Sequence, residues 1–126
     1  MMSGYTFDAG ALIALERNDR IVIDIVGIAK QLSMPIRVPA GALGQVWRAG
    51  ARQARLAALL ARKDVVVEPL DDLRARAAGR LCGARGTSDV IDASVVLCAR
   101  VNHDRVVTSD PRDLRRLDPM LVLIVV

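Results

Sequence analysis

Along the whole chain, short aliphatic runs alternate with longer stretches whose apolar residues recur at helical spacing. Tyr5-Thr6-Phe7 reads as a brief β run ending at Asp8, and Ala9–Leu15 as a helix that begins just after it. Ile21–Leu32 carries Ile21, Ile25, Ile28, Ala29 and Leu32 at helical spacing, and its length and Gly27–Gln31 segment favour helix over strand. Met34–Pro39 predicts a strand, and Ala40–Ala49 a helix with Leu43, Val46 and Trp47 on one side. Beyond Gly50, Ala51–Ala61 reads as a second, arginine-bearing helix. Val65-Val66-Val67 reads as a compact buried strand closed by Glu68-Pro69. Asp71 is placed to cap a helix carrying Leu73, Ala77, Ala78 and Leu81, with Gly83–Gly86 as the loop that follows.

The stretch from Gly86 to Asp113 concentrates the remaining signals. An apolar helix runs from about Asp89 to a turn at Asn102–Asp104, followed by a β run at Arg105–Thr108 and the break Ser109-Asp110-Pro111. Arg112–Leu117 forms a short helical turn, Asp118-Pro119 a turn, and Leu121–Val126 a final aliphatic strand. Strands separated by helices call for parallel pairing, so the predicted class is α/β. No linker, repeat or low-complexity tract divides the chain, and residues 1–126 are expected to form one domain.

Composition narrows this picture. The chain is 52% apolar but only 2% aromatic, so the core must be aliphatic, as buried parallel strands require. Cys82 and Cys98 lie inside helical patterns without metal-site spacing and read as buried free thiols of a reducing compartment. No signal peptide is evident, and no apolar run reaches the roughly 18–20 residues a bilayer span needs. The expectation is a cytoplasmic protein without a membrane partner. The net charge of +4 comes from 18 Lys+Arg against 14 Asp+Glu, with Lys30 and Lys63 the only lysines. The basic residues crowd Arg48–Lys63 and Arg112–Arg116, which permits a polyanionic partner or merely a solvated arginine face.

Several acids stand instead at element boundaries. Asp8 follows the first strand, Asp89 and Asp92 open the long helix, and Asp110 and Asp113 follow a later strand. In a doubly wound sheet those boundaries share one face. Gathered carboxylates raise one another's pKa, and a hard dication such as Mg²⁺ or Mn²⁺ relieves the repulsion. Each acid also has an ordinary structural explanation. Asp8 and Asp89 suit helix caps, with Thr87 and Ser88 as rivals of Asp89, and Asp110 suits a turn. Asp92, entering an apolar helix, is the hardest to explain without a partner.

Phe7-Asp8-Ala9, Val38-Pro39-Ala40 leading to Val46-Trp47-Arg48, Ser88–Ala93 and Thr108-Ser109-Asp110-Pro111 together resemble the successive motifs of PIN domains, and more narrowly of VapC-type toxins of bacterial toxin–antitoxin pairs. The resemblance covers essentially the whole chain. It implies a three-layer α/β/α sandwich around a parallel, mostly five-stranded sheet. The implied activity is that of a Mg²⁺- or Mn²⁺-dependent endoribonuclease that cuts tRNA or rRNA, pairs as a homodimer and is neutralised by a VapB-type antitoxin. By position, Asp8, Asp92 and Asp110 match the family's metal-binding acids, Asp89 an additional acid and Asp113 a weaker one; Thr108 and Ser109 would shape the loop holding Asp110. The aliphatic helices Ile21–Leu32 and Ala51–Ala61 are candidate antitoxin surfaces. One position departs: where the family places a glutamate, this chain has Gln45. A neutral amide binds a hard dication weakly and takes no proton from water. Either the site is weakened, or Glu16 or Asp89 compensates, or the position was altered from its natural residue.

Two other functions compete. A degenerate PIN module would bind RNA or antitoxin without cutting. A receiver-like phosphoryl-transfer domain would use a strand-end Asp, but the chain has no lysine after Lys63. His103, the only histidine, reads as a surface turn residue, Trp47 as core or partner interface before base stacking, and Ser94 lacks the His/Asp company of a nucleophile. Gly41, Gly44 and Gly50 build no phosphate loop.

Overall fold

In the computed structural model, which describes residues 2–126, five strands form one sheet. The elements are β1 (Tyr5–Phe7), α1 (Ala9–Glu16), α2 (Arg20–Gln31), β2 (Ile36–Pro39), α3 (Ala40–Val46), α4 (Ala54–Leu60), β3 (Val65–Glu68), α5 (Asp72–Arg85), α6 (Val90–Asn102), β4 (Arg105–Thr108), α7 (Pro111–Leu117) and β5 (Leu123–Val125). The strand order is β3-β2-β1-β4-β5, and every pairing is parallel. Helices cover both faces, giving the expected α/β/α layering. One apolar core joins β1 and β2 to α1, α2 and α4 through Phe7, Leu12, Val22, Ile36 and Leu56. The other packs α5, α6 and α7 against the sheet through Ala78, Val95, Val96, Val106 and Leu114. Phe7 is the only large aromatic that is fully buried, and the core is otherwise aliphatic.

Local chemistry sets the boundaries. Asp8, Asp19, Asp71 and Asp89 each cap a helix, accepting from backbone N–H groups in its first turn. Pro111 opens α7, where its missing N–H costs nothing.

Several expectations change. The strand Val65–Val67 is not buried: β3 lies at the sheet edge, with Val66 and Val67 more than two-fifths exposed. An aliphatic run looks the same on an edge strand as on a central one. Gly83–Gly86 is not a loop, because α5 continues to Arg85 and only Gly86, at φ +68°, turns out of the helix. The helix expected over Ala40–Ala49 stops at Val46, where Trp47 becomes extended. Ala51–Gln53 is a 3₁₀ turn ahead of α4. The strand expected over Met34–Pro39 starts at Ile36, and that over Leu121–Val126 is Leu123–Val125. On α2 the buried stripe is Val22, Ile25 and Ala29, which leaves Ile21, Ile28 and Leu32 in solvent; Leu73 on α5 is likewise exposed.

An ion pair closes the sheet at the other end from the strand C-termini. Arg37 on β2 donates to Asp104 at 2.7 Å, and Asp104 also accepts from the Gly4 amide at 2.7 Å and the Thr6 hydroxyl at 2.8 Å. Asp104, read from the sequence as part of an open turn, is therefore a buried tie between β1, β2 and β4.

Candidate active site

The strand order reverses between β1 and β4: the chain leaves β1 toward β2 on one side and β4 toward β5 on the other. A crevice forms where such connections part, outside the strand C-termini. Phe7 pairs with Val107, so the residues that follow, Asp8 and the Thr108–Asp110 turn, lie side by side at that crevice. The Asp8 amide donates to the Val107 carbonyl at 3.3 Å.

Asp8 is buried at 6% exposure, its carboxylate accepting from the Ala11 amide at 2.9 Å. Burial raises its pKa, hydrogen bonds from the Thr108 side chain and the Ala11 amide oppose the rise, and the charge of Asp110 adds to it. Thr108 works on both sides of the crevice, because its hydroxyl also accepts from the Asp110 amide at 2.9 Å. The close approach depends on Gly10. A Cβ there would lie 2.0 Å from the Ser109 Oγ and 3.1 Å from the Ser109 backbone nitrogen. Thr108 and Ser109 thus shape the turn that carries Asp110, Ser109 by packing and Thr108 by hydrogen bonding.

Asp89 and Asp92 enter from α6. The Asp89 carboxylate accepts from the Asp92 amide at 2.9 Å, so Asp89 is an N-cap. Asp89 also lines the cleft, and its side chain hydrogen-bonds with that of Asp92. Asp92, one turn in and half-buried, has its pKa pushed up to about 7, first by burial and then by the charges of Asp89, Asp113 and Asp8. Asp110 is also raised, chiefly by its hydrogen bond with Asp113. The five acids form one electrostatically linked chain.

They do not form one tight shell. A cleft of about 230 Å³ is lined by Asp89, Asp92 and Asp113 together with Thr87, Ser88, Arg116 and Leu117, while Asp8 and Asp110 lie outside that lining. Among the described residues, no three His, Cys, Asp or Glu side chains converge closely enough to hold an ion. The donors are nonetheless all hard carboxylate oxygens under mutual repulsion, which is the chemistry Mg²⁺ or Mn²⁺ favours. Gln45 stands exposed on α3 and, like Asp8 and Asp110, is not among the residues that line this cleft. Glu16 ends α1, whose eight residues span about 12 Å from the Asp8 cap, and its carboxylate accepts from the Gln53 amide at 2.7 Å. His103 is exposed in a left-handed turn, and Ser94 donates to the Ile91 carbonyl at 2.6 Å.

Arg116 was not apparent as a cleft residue from the sequence, although its position three residues after Asp113 puts both on one face of α7. Its guanidinium donates to the Gly86 carbonyl at 3.0 Å, and Arg85 donates to the Arg116 carbonyl at 2.9 Å. Among the described residues it pairs with none of the acids beside it.

Known structures share this architecture. VapBC2 from Rickettsia felis, bound to a DNA fragment from its promoter, matches at TM-score 0.69 and 13% identity, over 97% of this chain and 98% of the other. DNA-bound VapBC from Salmonella typhimurium matches at TM-score 0.68 and 16% identity, over 98% of each chain. PAE2754 from Pyrobaculum aerophilum matches at TM-score 0.59 and 20% identity, over 98% of this chain and 92% of that one. No curated protein matches the chain. At these identities the likeness is one of fold. The sequence profile of the PIN domain matches residues 5–119, from the first strand through the turn after α7, and so spans every acid of the crevice. The chain belongs to the PIN domain family.

Proposed function

We propose that this chain is a VapC-type toxin, a divalent-metal-dependent endoribonuclease acting on structured RNA such as tRNA or rRNA. The observation that carries this reading is the line of mutually repelling carboxylates at the β1/β4 switch point of a PIN fold. Asp8, Asp92, Asp110 and Asp89 would hold Mg²⁺ or Mn²⁺, with Asp113 supporting Asp110. Such an ion, when bound, supplies Lewis-acid assistance to the phosphodiester and its attacking water. The chain's own groups do the rest. The Ala11 amide and Thr108 fix the orientation of Asp8, and Thr108 also fixes the backbone at Asp110. The raised pKa of Asp92 marks the repulsion among these carboxylates that a bound dication would relieve. Arg116 offers free N–H donors to a phosphate at the rim of the cleft.

The partner would be a VapB-type antitoxin. An apolar groove of about 280 Å³ between α1, α2 and α4 is lined by Leu15, Ile23, Val26 and Leu59, with Arg55 and Arg62 beside them. It suits an aliphatic helix bearing acidic residues, and both helices expected to dock an antitoxin contribute to it. Pairing as a homodimer belongs to the same reading.

The test is cleavage by purified, antitoxin-free protein. The expected result is Mn²⁺- or Mg²⁺-dependent cutting of tRNA or rRNA, lost in Asp8→Asn, Asp92→Asn and Asp110→Asn variants. The neutral amide of Gln45, where the family places a glutamate, favours a second reading, a PIN module that binds without cutting. Inertness of both the Gln45 chain and Gln45→Glu, with RNA affinity unchanged in the triple Asp→Asn variant, would decide for that module.

A further inference from the structure

The loop after α3 has features that the acidic cleft does not explain. Trp47, the only tryptophan of the chain, leaves 40% of its surface in solvent rather than completing the core. Its position is nevertheless set: the Trp47 amide donates to the Leu43 carbonyl at 2.8 Å, and the next residue folds back over the helix end. The Arg48 guanidinium donates to the Trp47 carbonyl at 2.7 Å. Ala49 follows at φ +57°, a left-handed conformation that disfavours a residue with a Cβ.

What holds this strained turn is Gln53, buried at 6% exposure. Its side-chain oxygen accepts from the Arg48 and Ala49 amides at 2.8 and 3.0 Å, and its nitrogen donates to the Val46 carbonyl and Glu16, both at 2.7 Å. All four hydrogen-bonding positions of the amide are used. The result is a rigid loop that presents an aromatic ring to solvent.

The surroundings are cationic. Arg48, Arg52 and Arg55 are exposed, and among the described residues none is ion-paired. A cavity of about 500 Å³ beside the loop is lined in part by Arg48, Arg52 and Gly50. The one acid there, Glu16, is engaged by Gln53. The loop is also tied to the cleft: α3 starts against α6, where Gly41 leaves no room for a Cβ beside Ile91, the neighbour of Asp92. The seven residues of α3 cover about 10 Å.

We infer that the Trp47–Arg48 loop is a stacking subsite for an unpaired nucleotide of the RNA, about 10 Å along α3 from the end that packs beside the acidic cleft. The assignment rests on the ribonuclease reading above and names how that substrate is held. Proteins that bind single-stranded RNA stack bases on exposed aromatics while arginines hold the backbone. A preformed, rigid ring meets that need because no ordering of the loop is left for the binding step.

Because Trp47 is the sole tryptophan, its fluorescence reports this subsite alone. The experiment titrates the full chain with a short single-stranded oligoadenylate in EDTA, where no cutting occurs, and follows tryptophan emission and the anisotropy of labelled RNA together. Saturable quenching is expected, with far less from a duplex of the same length. Trp47→Ala should weaken binding by about 5- to 100-fold, while Trp47→Phe retains most of the affinity. An unchanged melting temperature in both variants separates lost stacking from lost folding. Absence of binding, binding without quenching, or full affinity in Trp47→Ala would each overturn the inference. So would emission that ignores RNA but shifts when the chain is co-purified with its antitoxin, which would make the loop a protein interface. The two readings fail separately. Cleavage of tRNA or rRNA without quenching leaves the nuclease and removes the subsite, whereas quenching without cleavage leaves the subsite and removes the nuclease.

Discussion

At the scale of single residues, Asp92 shows how burial and charge act together. Its folded-state pKa of about 7 lies above its ordinary 3.8, so between those values the folded chain keeps a proton that the unfolded chain releases. Its contribution is therefore fully favourable below about pH 4 and is lost as the pH rises toward 7. The melting temperature of the metal-free chain should fall over that window, and Asp92→Asn should flatten the fall; an unchanged slope would mean that Asp92 is solvated after all. Asp89 has two duties that substitution can separate. Asp89→Ser keeps an N-cap oxygen while removing the charge, so stability should hold and the midpoint of the Asp92 titration should drop. Asp89→Ala removes both and should cost about 1 kcal/mol in denaturant unfolding. Gly10→Ala tests the crevice from its other side, since the added Cβ must displace the Ser109 turn that carries Asp110. Weakened Mn²⁺ binding by calorimetry is expected, with partial recovery in Gly10→Ala/Ser109→Gly.

Among the elements, the placement of charge follows from how helices begin. Four of the aspartates act as N-caps, and their sequence neighbours made that role legible for Asp8, Asp71 and Asp89. Helical periodicity located α2 and two of its three buried residues, Ile25 and Ala29, but included Ile21, Ile28 and Leu32 and missed Val22. Its isoleucines are dense enough to support two stripes, and contact with α1 and the sheet selects Val22, Ile25 and Ala29. Ile23, outside that stripe, lines the groove that α1 and α4 complete. Ile23→Asp should leave folding intact, because Ile23 is already 37% exposed, and should abolish co-purification of a co-expressed antitoxin. Retained complex formation would move the antitoxin to another surface.

On the scale of the whole molecule, parallel winding brings acids from the two halves of the chain to one crevice and puts the structural ion pair at the opposite end. Arg37 and Asp104 are nearly or wholly shut from solvent, and the latter collects bonds from β1 as well as β2. Asp104→Ala would strand a buried guanidinium and should cost about 3–5 kcal/mol in urea unfolding. Arg37→Met with Asp104→Leu should cost much less, because no unpaired charge remains. Among the described residues, no helix is long and apolar enough to cross a membrane.

The order of strands and helices, the parallel class, three of the four aspartate caps and the acids at strand ends were legible in the sequence, because they depend on local periodicity and on residue chemistry at element boundaries. The tertiary structure decided what depends on contacts between distant segments. It put β3 at an edge, turned one face of α2 outward and buried Asp104. It also brought Arg116 into the cleft beside Asp89, Asp92 and Asp113, and exposed Trp47 on a loop held by Gln53. A side chain's neighbours across the fold, rather than its own periodicity, determine whether it is core, ligand or surface.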